Sequence, residues 1–200
     1  MLQMNNLTDH LLYFGKGTYL KRTIEFTNER IHKNSFSECA RLMNIEVPEI
    51  ILPNIKYDWI TCCRILESVV EKSQNNLYDF YFEMAKYGVE ADLNSVYKMF
   101  MSISGPKFVL KLLPSLAKAY NNWMDAGVTQ NQPGYCKVDV IYPNNILIEN
   151  FTIPTSAGGI CAAINACKYN ADRISVSKSY FINDKLESKK IEIEVWYSKT

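Results

Sequence analysis

Hydrophobic positions in this chain change period about two thirds of the way along. Up to about Gly127 the apolar residues recur at helical spacing; beyond it, short alternating runs dominate, with one helix among them. The first helix is expected after the turn "YFGKG", with Tyr19, Leu20, Thr23, Ile24 and Phe26 on one face, fading near "RIHKN". Ser35 and Glu38 fit a Ser-x-x-Glu capping box at the start of a second, which carries Phe36, Cys39, Leu42 and Met43. Pro48 and Pro53 mark "IEVPEIILPNIKY" as a connector. Asp58 is placed to cap a third helix, whose stripe is Trp59, Cys62, Cys63, Leu66, Val69 and Val70.

A fourth helix is expected over about Leu77 to Tyr87, with Gly88 as its C-terminal cap. A fifth is expected from Asp92, turning Val96, Tyr97, Phe100 and Met101 inward. Pro106 suits the first turn of a sixth, whose broad stripe runs from Phe108 through Leu112 to Trp123 and Met124. Pro114 has no N–H to give and its ring crowds the carbonyl of Leu110. Two segments follow, about Lys107 to Leu113 and Ser115 to Asp125, with Gly127 as the stop.

In "YCKVDVIY", Cys136, Val138, Val140 and Tyr142 alternate with Tyr135, Lys137, Asp139 and Ile141, which is strand spacing. "PNN" reads as a turn and "ILIENFTI" as a returning strand; Thr155 or Ser156 then caps the helix "AGGICAAINACKYN". Two further strands follow, "RISVSKSYFI" and "KKIEIEVWYS", the last with Ile191, Ile193 and Val195 opposite Glu192, Glu194 and Trp196. The fold class is therefore α+β. About six helices form an N-terminal layer packed on a C-terminal antiparallel four-stranded sheet with one inserted helix, β-β-α-β-β. One domain over 1–200 is expected, divided into a helical layer 1–127 and a sheet layer 128–200.

Composition narrows the function classes. The 200 residues are 48% hydrophobic and 22% charged, with a net charge of +1, so no field draws the chain to nucleic acid or anionic lipid. No apolar run reaches the roughly 18 residues of a membrane span, and "MLQMNNLTDHLLYFGKG" lacks the pattern of a secretory signal. Cys39, Cys62, Cys63, Cys136, Cys161 and Cys167 form no Cys-x-x-Cys pair and sit in apolar surroundings. Reduced core thiols and a cytoplasmic location are expected.

Candidate chemistry is sparse. The two histidines, His10 and His32, have no second ligand at metal-site spacing. "SAGGICAA" matches no phosphate-binding glycine loop, and close packing of a helix on a sheet explains its small residues better. The lysine-rich "SKSYFINDKLESKK" is balanced by Asp184 and Glu187 and reads as a solvated hairpin tip. The vicinal Cys62 and Cys63 lie about 100° apart on a helix, so one could look into a cavity. Aromatic and methionine side chains are the remaining signal, since they fill cores and line apolar ligand sites alike.

The order of "GKGTYLKRTIEF", "YDWITCCRILESVV", "GPKFVLKLLPSLAKAYNNWMDAG" and "TSAGGICAAINACKYNADRISVSKSYF…IEIEVWY" resembles an uncharacterised bacterial family first noted in myxobacteria, over about residues 15 to 197. That family is similar to the four-vinyl-reductase-type domains, the haem-nitric-oxide-binding domains and vesicle-tethering subunits that hold a fatty-acyl chain. The resemblance implies a helical layer on an antiparallel sheet, a hydrophobic pocket between them, often a dimer, and binding or sensing more than catalysis. Two departures count. Haem-binding members use a histidine on a mid-chain helix, and none lies here between His32 and the C-terminus. Four-vinyl-reductase-type members carry cysteines near the last two strands, and "NDKLESKKIEIEVWY" has none.

The leading expectation is a non-catalytic ligand-binding or sensory domain, holding an apolar small molecule or acyl chain between helices and sheet, as a homodimer with no nucleic-acid partner. Candidate pocket residues are Trp59, Cys62, Cys63, Tyr97, Phe100, Met101, Phe108, Leu112 and Trp123. No catalytic or metal-ligating residue is assigned, and the cofactor is open, haem lacking its mid-chain histidine. The alternatives are a dimeric structural or interaction module with a filled core, and a haem-based gas sensor or cysteine-dependent enzyme.

Overall fold

The computed structural model describes residues 13–93, 105–183 and 186–200. Strand β1 (Phe14–Lys16) runs straight into helix α1 (Gly17–Arg30), and β2 (Lys56–Asp58) runs straight into α3 (Trp59–Ser73). The two strands pair antiparallel, so the starts of α1 and α3 are tied side by side. Gly15 is the residue this pairing needs: a Cβ there would lie 2.4 Å from the Trp59 ring. Asp58 caps α3 as its sequence position predicts, accepting from Ile60 N at 3.1 Å and from the Thr61 hydroxyl at 2.5 Å. This two-stranded unit has no alternating pattern long enough to be read from the sequence.

Helix α2 (Ser35–Leu42) forms without the expected capping box. Asn34 in the left-handed region takes the N-cap position, and the Ser35 hydroxyl turns back to donate to the Thr27 carbonyl at 3.2 Å. Ser35 is buried against α1, so its tertiary hydrogen bond displaces the local one. Helix α4 (Leu77–Asp92) is capped by Asn76, which accepts from Asp79 N at 3.1 Å. It continues through Gly88 rather than ending there, because Gly88 sits within a packed helix beside Arg22 of α1. Asp92 closes α4 instead of opening a fifth helix. Val96, Tyr97, Phe100 and Met101 lie outside the described residues.

The sixth helix is split at the proline, as expected. A short helix α5 covers 105–110, and α6 (Leu113–Tyr120) restarts with Pro114 in its first turn. The second segment ends at Tyr120, five residues before the expected Asp125. Asn121 adopts an extended backbone, and its side chain accepts from Trp123 N at 3.2 Å and Met124 N at 3.0 Å. Trp123 therefore stands on a turn, and the sheet begins at Asp125, inside the segment assigned to the helical layer.

The sheet is antiparallel with order β3-β4-β6-β5, formed by β3 (Asp125–Gln132), β4 (Tyr135–Pro143), β5 (Tyr169–Asn183) and β6 (Leu186–Lys199). Its β-β-α-β-β order is the expected one, but its first two strands are displaced toward the N-terminus. "DAGVTQNQ" is a strand with too few apolar residues to alternate visibly, and "QPGY" is the hairpin turn, with Gly134 at φ 79°. "ILIENFTI" is not a strand. It opens α7 (Ile146–Ala166), 21 residues long, whose cap is Asn145 rather than Thr155 or Ser156. Asn145 accepts from Leu147 N at 3.0 Å and Ile148 N at 3.2 Å.

Helix α7 lies between the inner face of the sheet and α4, buried on nearly every side. Gly158 sets its closest approach to a neighbour, and that neighbour is a helix, not the sheet. A Cβ on Gly158 would meet the Phe82 carbonyl oxygen of α4 at 2.2 Å. The inner sheet face supplies Val138, Val140, Ile191, Ile193 and Val195 to the same core as Ile160 and Ile164 of α7. The outer face is laced by ion pairs, Lys137 to Glu192 at 2.7 Å and Lys190 to Asp139 at 2.7 Å.

Two predictions follow from this packing. Gly159→Ala meets only Val89 Cγ2, at an ordinary 3.6 Å, and is expected to stabilise by about 0.5–1 kcal/mol through helix propensity. Gly158→Ala, one residue away, is expected to destabilise by about 1–3 kcal/mol, as overpacking does. Thermal melts of the two variants check the opposite signs. The second concerns Glu149 in the first turn of α7, which accepts from Lys178 at 3.1 Å and Lys189 at 2.5 Å. Burial pushes its carboxyl up, but the two lysines outweigh burial and hold it below the usual range. A depressed folded value gives stability that is complete above the unfolded carboxylate pKa of about 4.3 and is lost as pH falls through the folded value. Glu149→Gln should lower neutral-pH stability by on the order of 1 kcal/mol and flatten the acid limb of a stability–pH curve.

Candidate functional site

Among the described residues, a cavity of about 190 Å³ lies where α4, α6 and α7 face the β3–β4 hairpin, with α1 along one side. Its walls follow the periodicities of their elements. Ala85, Gly88, Val89 and Asp92 of α4 stand at i, i+3, i+4 and i+7, as do Leu113, Leu116, Ala117 and Tyr120 of α6. Helix α7 contributes Thr155, Ser156, Gly159, Ile160 and Ala163; Val138 and Val140 come from alternate positions of β4. The space exists because the facing residues are small: Ala85, Gly88, Ala117, Ala126, Gly159 and Ala163 leave a gap that backbones held apart by their neighbours cannot close.

Three polar groups of the lining meet at α1. Arg22 Nε donates to Asp92 Oδ1 at 3.1 Å, and Arg22 Nη1 to Glu25 Oε2 at 2.9 Å. The Tyr120 hydroxyl donates to Asp92 Oδ2 at 3.3 Å, so one carboxylate ties together the ends of α4 and α6 and the middle of α1. Desolvation opposes the Arg22 charge, but Glu25 and Asp92 outweigh it and hold the guanidinium raised. The Thr155 hydroxyl is spent on the Phe151 carbonyl at 2.7 Å, and Ser156 Oγ on Met124 Sδ at 3.4 Å. Tyr19 forms the wall nearest the core; burial pushes its hydroxyl far up, and the neighbouring Thr155 side chain offsets part of that rise.

Behind Tyr19 the interior is filled. Tyr19 stacks on Trp59 with centroids 4.8 Å apart, and Trp59 stacks on Trp123 at 5.4 Å. Phe151 meets all three edge-on, at 5.8, 5.3 and 6.2 Å. Trp123 is further fixed by its indole N–H, which donates to the Thr152 hydroxyl at 3.2 Å. Trp59 and Trp123 are therefore brought together, as partners in a solid stack beside the cavity.

Cys62 and Cys63 are fully buried in the same core, and neither lines the cavity. Phe108 and Leu112 are 51% and 38% exposed on the outer side of the α5–α6 break, where Val109 and Leu113 turn inward. Tyr97, Phe100 and Met101 lie outside the described residues. The lining that sequence reasoning missed is mostly small, and its signal was the run of alanines and glycines at helical spacing on α4, α6 and α7.

The described lining contains no cysteine, and the thiols elsewhere in the core are held in their protonated form. Burial pushes Cys161 up to about 12 and Cys136 and Cys167 up to about 11, and drives Cys62 and Cys63 well upward. Among the described residues no three of His, Cys, Asp or Glu are placed to hold a metal. His32 sits exposed past the end of α1, 3.8 Å from Glu38, and His10 lies outside the described residues.

No family model matches this chain, and no curated protein does. Solved structures of H-NOX proteins do share its fold. One, studied for the function of haem distortion, has a TM-score of 0.69 at 12% identity, covering 92% of this chain and 95% of its own. An oxygen-binding H-NOX domain related to soluble guanylate cyclases, in its oxygen complex, has a TM-score of 0.67 at 13% identity over 92% and 95%. An H-NOX protein from K. algicida has a TM-score of 0.65 at 9% identity over 92% and 97%. At these identities the likeness is one of fold.

The side chains at the cavity do not fit a haem held by histidine or cysteine. The described lining has neither residue. Its Tyr19, Tyr120 and Met124 belong to residue or ring types that can meet iron, but Tyr120 donates to Asp92 and Met124 accepts from Ser156. The volume is also below the roughly 300–1,000 Å³ of sites for drug-sized ligands.

The thiol environment gives a direct expectation. Iodoacetamide should label Cys39, Cys62, Cys63, Cys136, Cys161 and Cys167 slowly in the native protein and promptly in urea, because all six are buried. Mass spectrometry of timed aliquots measures this; prompt native labelling at any one of them would restore a cysteine-dependent reading.

Proposed function

We propose that this chain is a ligand-binding sensory domain that holds a small apolar molecule in the cavity between its helices and its sheet. The observation that carries the reading is the cavity itself. Alanine, glycine and branched aliphatic side chains of α4, α5, α6, α7, β3 and β4 line a pocket partly open to solvent, with few polar groups among them. A fold shared with H-NOX proteins, one of them an oxygen-binding domain, supports sensing over catalysis. In this reading the 200 residues act as one cytoplasmic domain of the bacterial family that their "GKGTYLKRTIEF" and "GPKFVLKLLPSLAKAYNNWMDAG" segments resemble.

A haem-based gas sensor is the second reading, favoured by the fold of its neighbours and opposed by the lining of the cavity. One experiment separates the two. The purified full chain is analysed by native mass spectrometry for co-purified ligand, by thermal shift against a panel of aliphatic and aromatic compounds, and by absorbance during haemin titration. The proposal expects a bound or stabilising apolar compound, and loss of that shift in Gly159→Leu, whose side chain would grow into the cavity. A stoichiometric Soret band with no shift from any apolar compound would replace it with the haem reading. Neither signal would leave the filled-core interaction module.

A further inference from the structure

Taking the cavity reading as its basis, we propose that the cavity takes a ligand built on a single aromatic ring, such as a benzyl compound, in preference to a saturated ring of the same size. The inference rests on the size of the space and on three residues of its lining. The cavity measures about 190 Å³. An apolar space of about 150 Å³ holds benzene, so one benzene-sized ring with a short substituent fills this one. Most of the lining is aliphatic and would hold an aromatic and a saturated ring alike. Tyr19, Tyr120 and Met124 would not.

Tyr19 and Tyr120 meet edge to face, with centroids 6.4 Å apart and ring planes at 66°. A third ring arriving beside them can continue that arrangement, because an aromatic ring offers its neighbours a negative face and a positive edge. A saturated ring offers neither. Met124 belongs to the same lining, where its sulfur accepts from the Ser156 hydroxyl at 3.4 Å. Thioether sulfur packs favourably at the edge of an aromatic ring. The two tyrosines are in place before any ligand arrives. Tyr19 is stacked on Trp59 at 4.8 Å and met edge-on by Phe151 at 5.8 Å, and the Tyr120 hydroxyl donates to Asp92 at 3.3 Å. A ligand ring therefore loses little of its binding free energy to ordering them.

Benzyl alcohol and cyclohexylmethanol share one carbon skeleton and one hydroxyl and differ only in ring saturation, so they serve as probes, with affinities read by titration calorimetry on the full chain. The saturated compound is the more hydrophobic of the two, and a cavity acting through apolar burial alone would favour it. The proposal expects benzyl alcohol to bind the wild type more tightly, by about threefold. Met124→Leu conserves volume and removes the sulfur; Tyr120→Leu removes a ring. Each is expected to lower the ratio of the two affinities by about two- to tenfold. A purely structural role would move both affinities together and leave the ratio alone. The Met124 N–H bond to Asn121 is made by the backbone, so Met124→Leu keeps the measurement possible if Tyr120→Leu unfolds. Gly159→Leu, whose side chain grows into the cavity, is expected to abolish binding of both probes. Cyclohexylmethanol binding as tightly as benzyl alcohol, or a ratio that neither variant lowers, overturns the aromatic preference and leaves the apolar cavity standing. If neither probe binds, or if both still bind Gly159→Leu, the cavity reading itself fails, and this inference with it.

Discussion

The contact at which α7 and α4 touch backbone to backbone sets the spacing of everything around it. Gly158 brings the two helices close enough that a single added carbon would strike the Phe82 carbonyl. Such an approach fixes the rotation of both helices, because only the side without a Cβ can face the partner. With α7 turned in this way, its next turns present Thr155, Gly159 and Ala163 beside Ala85, Gly88 and Val89 of α4. Those are the floor and one wall of the cavity. The same rotation sends Ile160 and Ile164 toward the sheet and Phe151 toward α3, where it closes the aromatic cluster.

Two solutions to packing thus lie side by side along one helix. At the N-terminal end of α7, Phe151 is surrounded by Tyr19, Tyr81, Trp59 and Trp123, and large rings meeting edge to face leave no gap. One turn further, small residues face small residues and the interior is open. Tyr19 belongs to both regions, with one side of its ring on Trp59 and the other on the cavity. A side chain gripped by that stack is a rigid wall, so a ligand in the cavity would press on α1, α3 and the turn at Trp123 together. Rigid walls of this kind are how a packed core passes a local change onward, since interlocked rings shift as a group rather than bend.

How much of this was legible in the sequence depended on whether an element has two unlike faces. Helices α1, α3 and α4 have one buried side, and their periodicity placed them well; Asp58 also announced its cap. Helix α7 is buried all round, so "ILIENFTI" carried no helical period and its β-branched residues read as a strand. Strand β3 failed for the opposite reason, having too few apolar residues to show alternation. The candidate site followed the same rule. Large aromatics are conspicuous in a sequence, and Trp59 and Trp123 did come together, but they fill space. What encloses a cavity is the absence of side chain, and alanines at helical spacing look like helix propensity until the facing elements are known.

The polar side of the cavity completes the contrast with the proteins that share the fold. A fold fixes where a pocket can form; the residues that line it decide what chemistry it meets. Here a guanidinium, two carboxylates and a tyrosine hydroxyl join α1, α4 and α6 in one hydrogen-bonded set, with Lys21 a further 3.9 Å from Glu25. Such a set ties the cavity's edge to three helices at once. Substituting any one of these side chains would therefore be felt on α1, α4 and α6 together, with the fold unchanged.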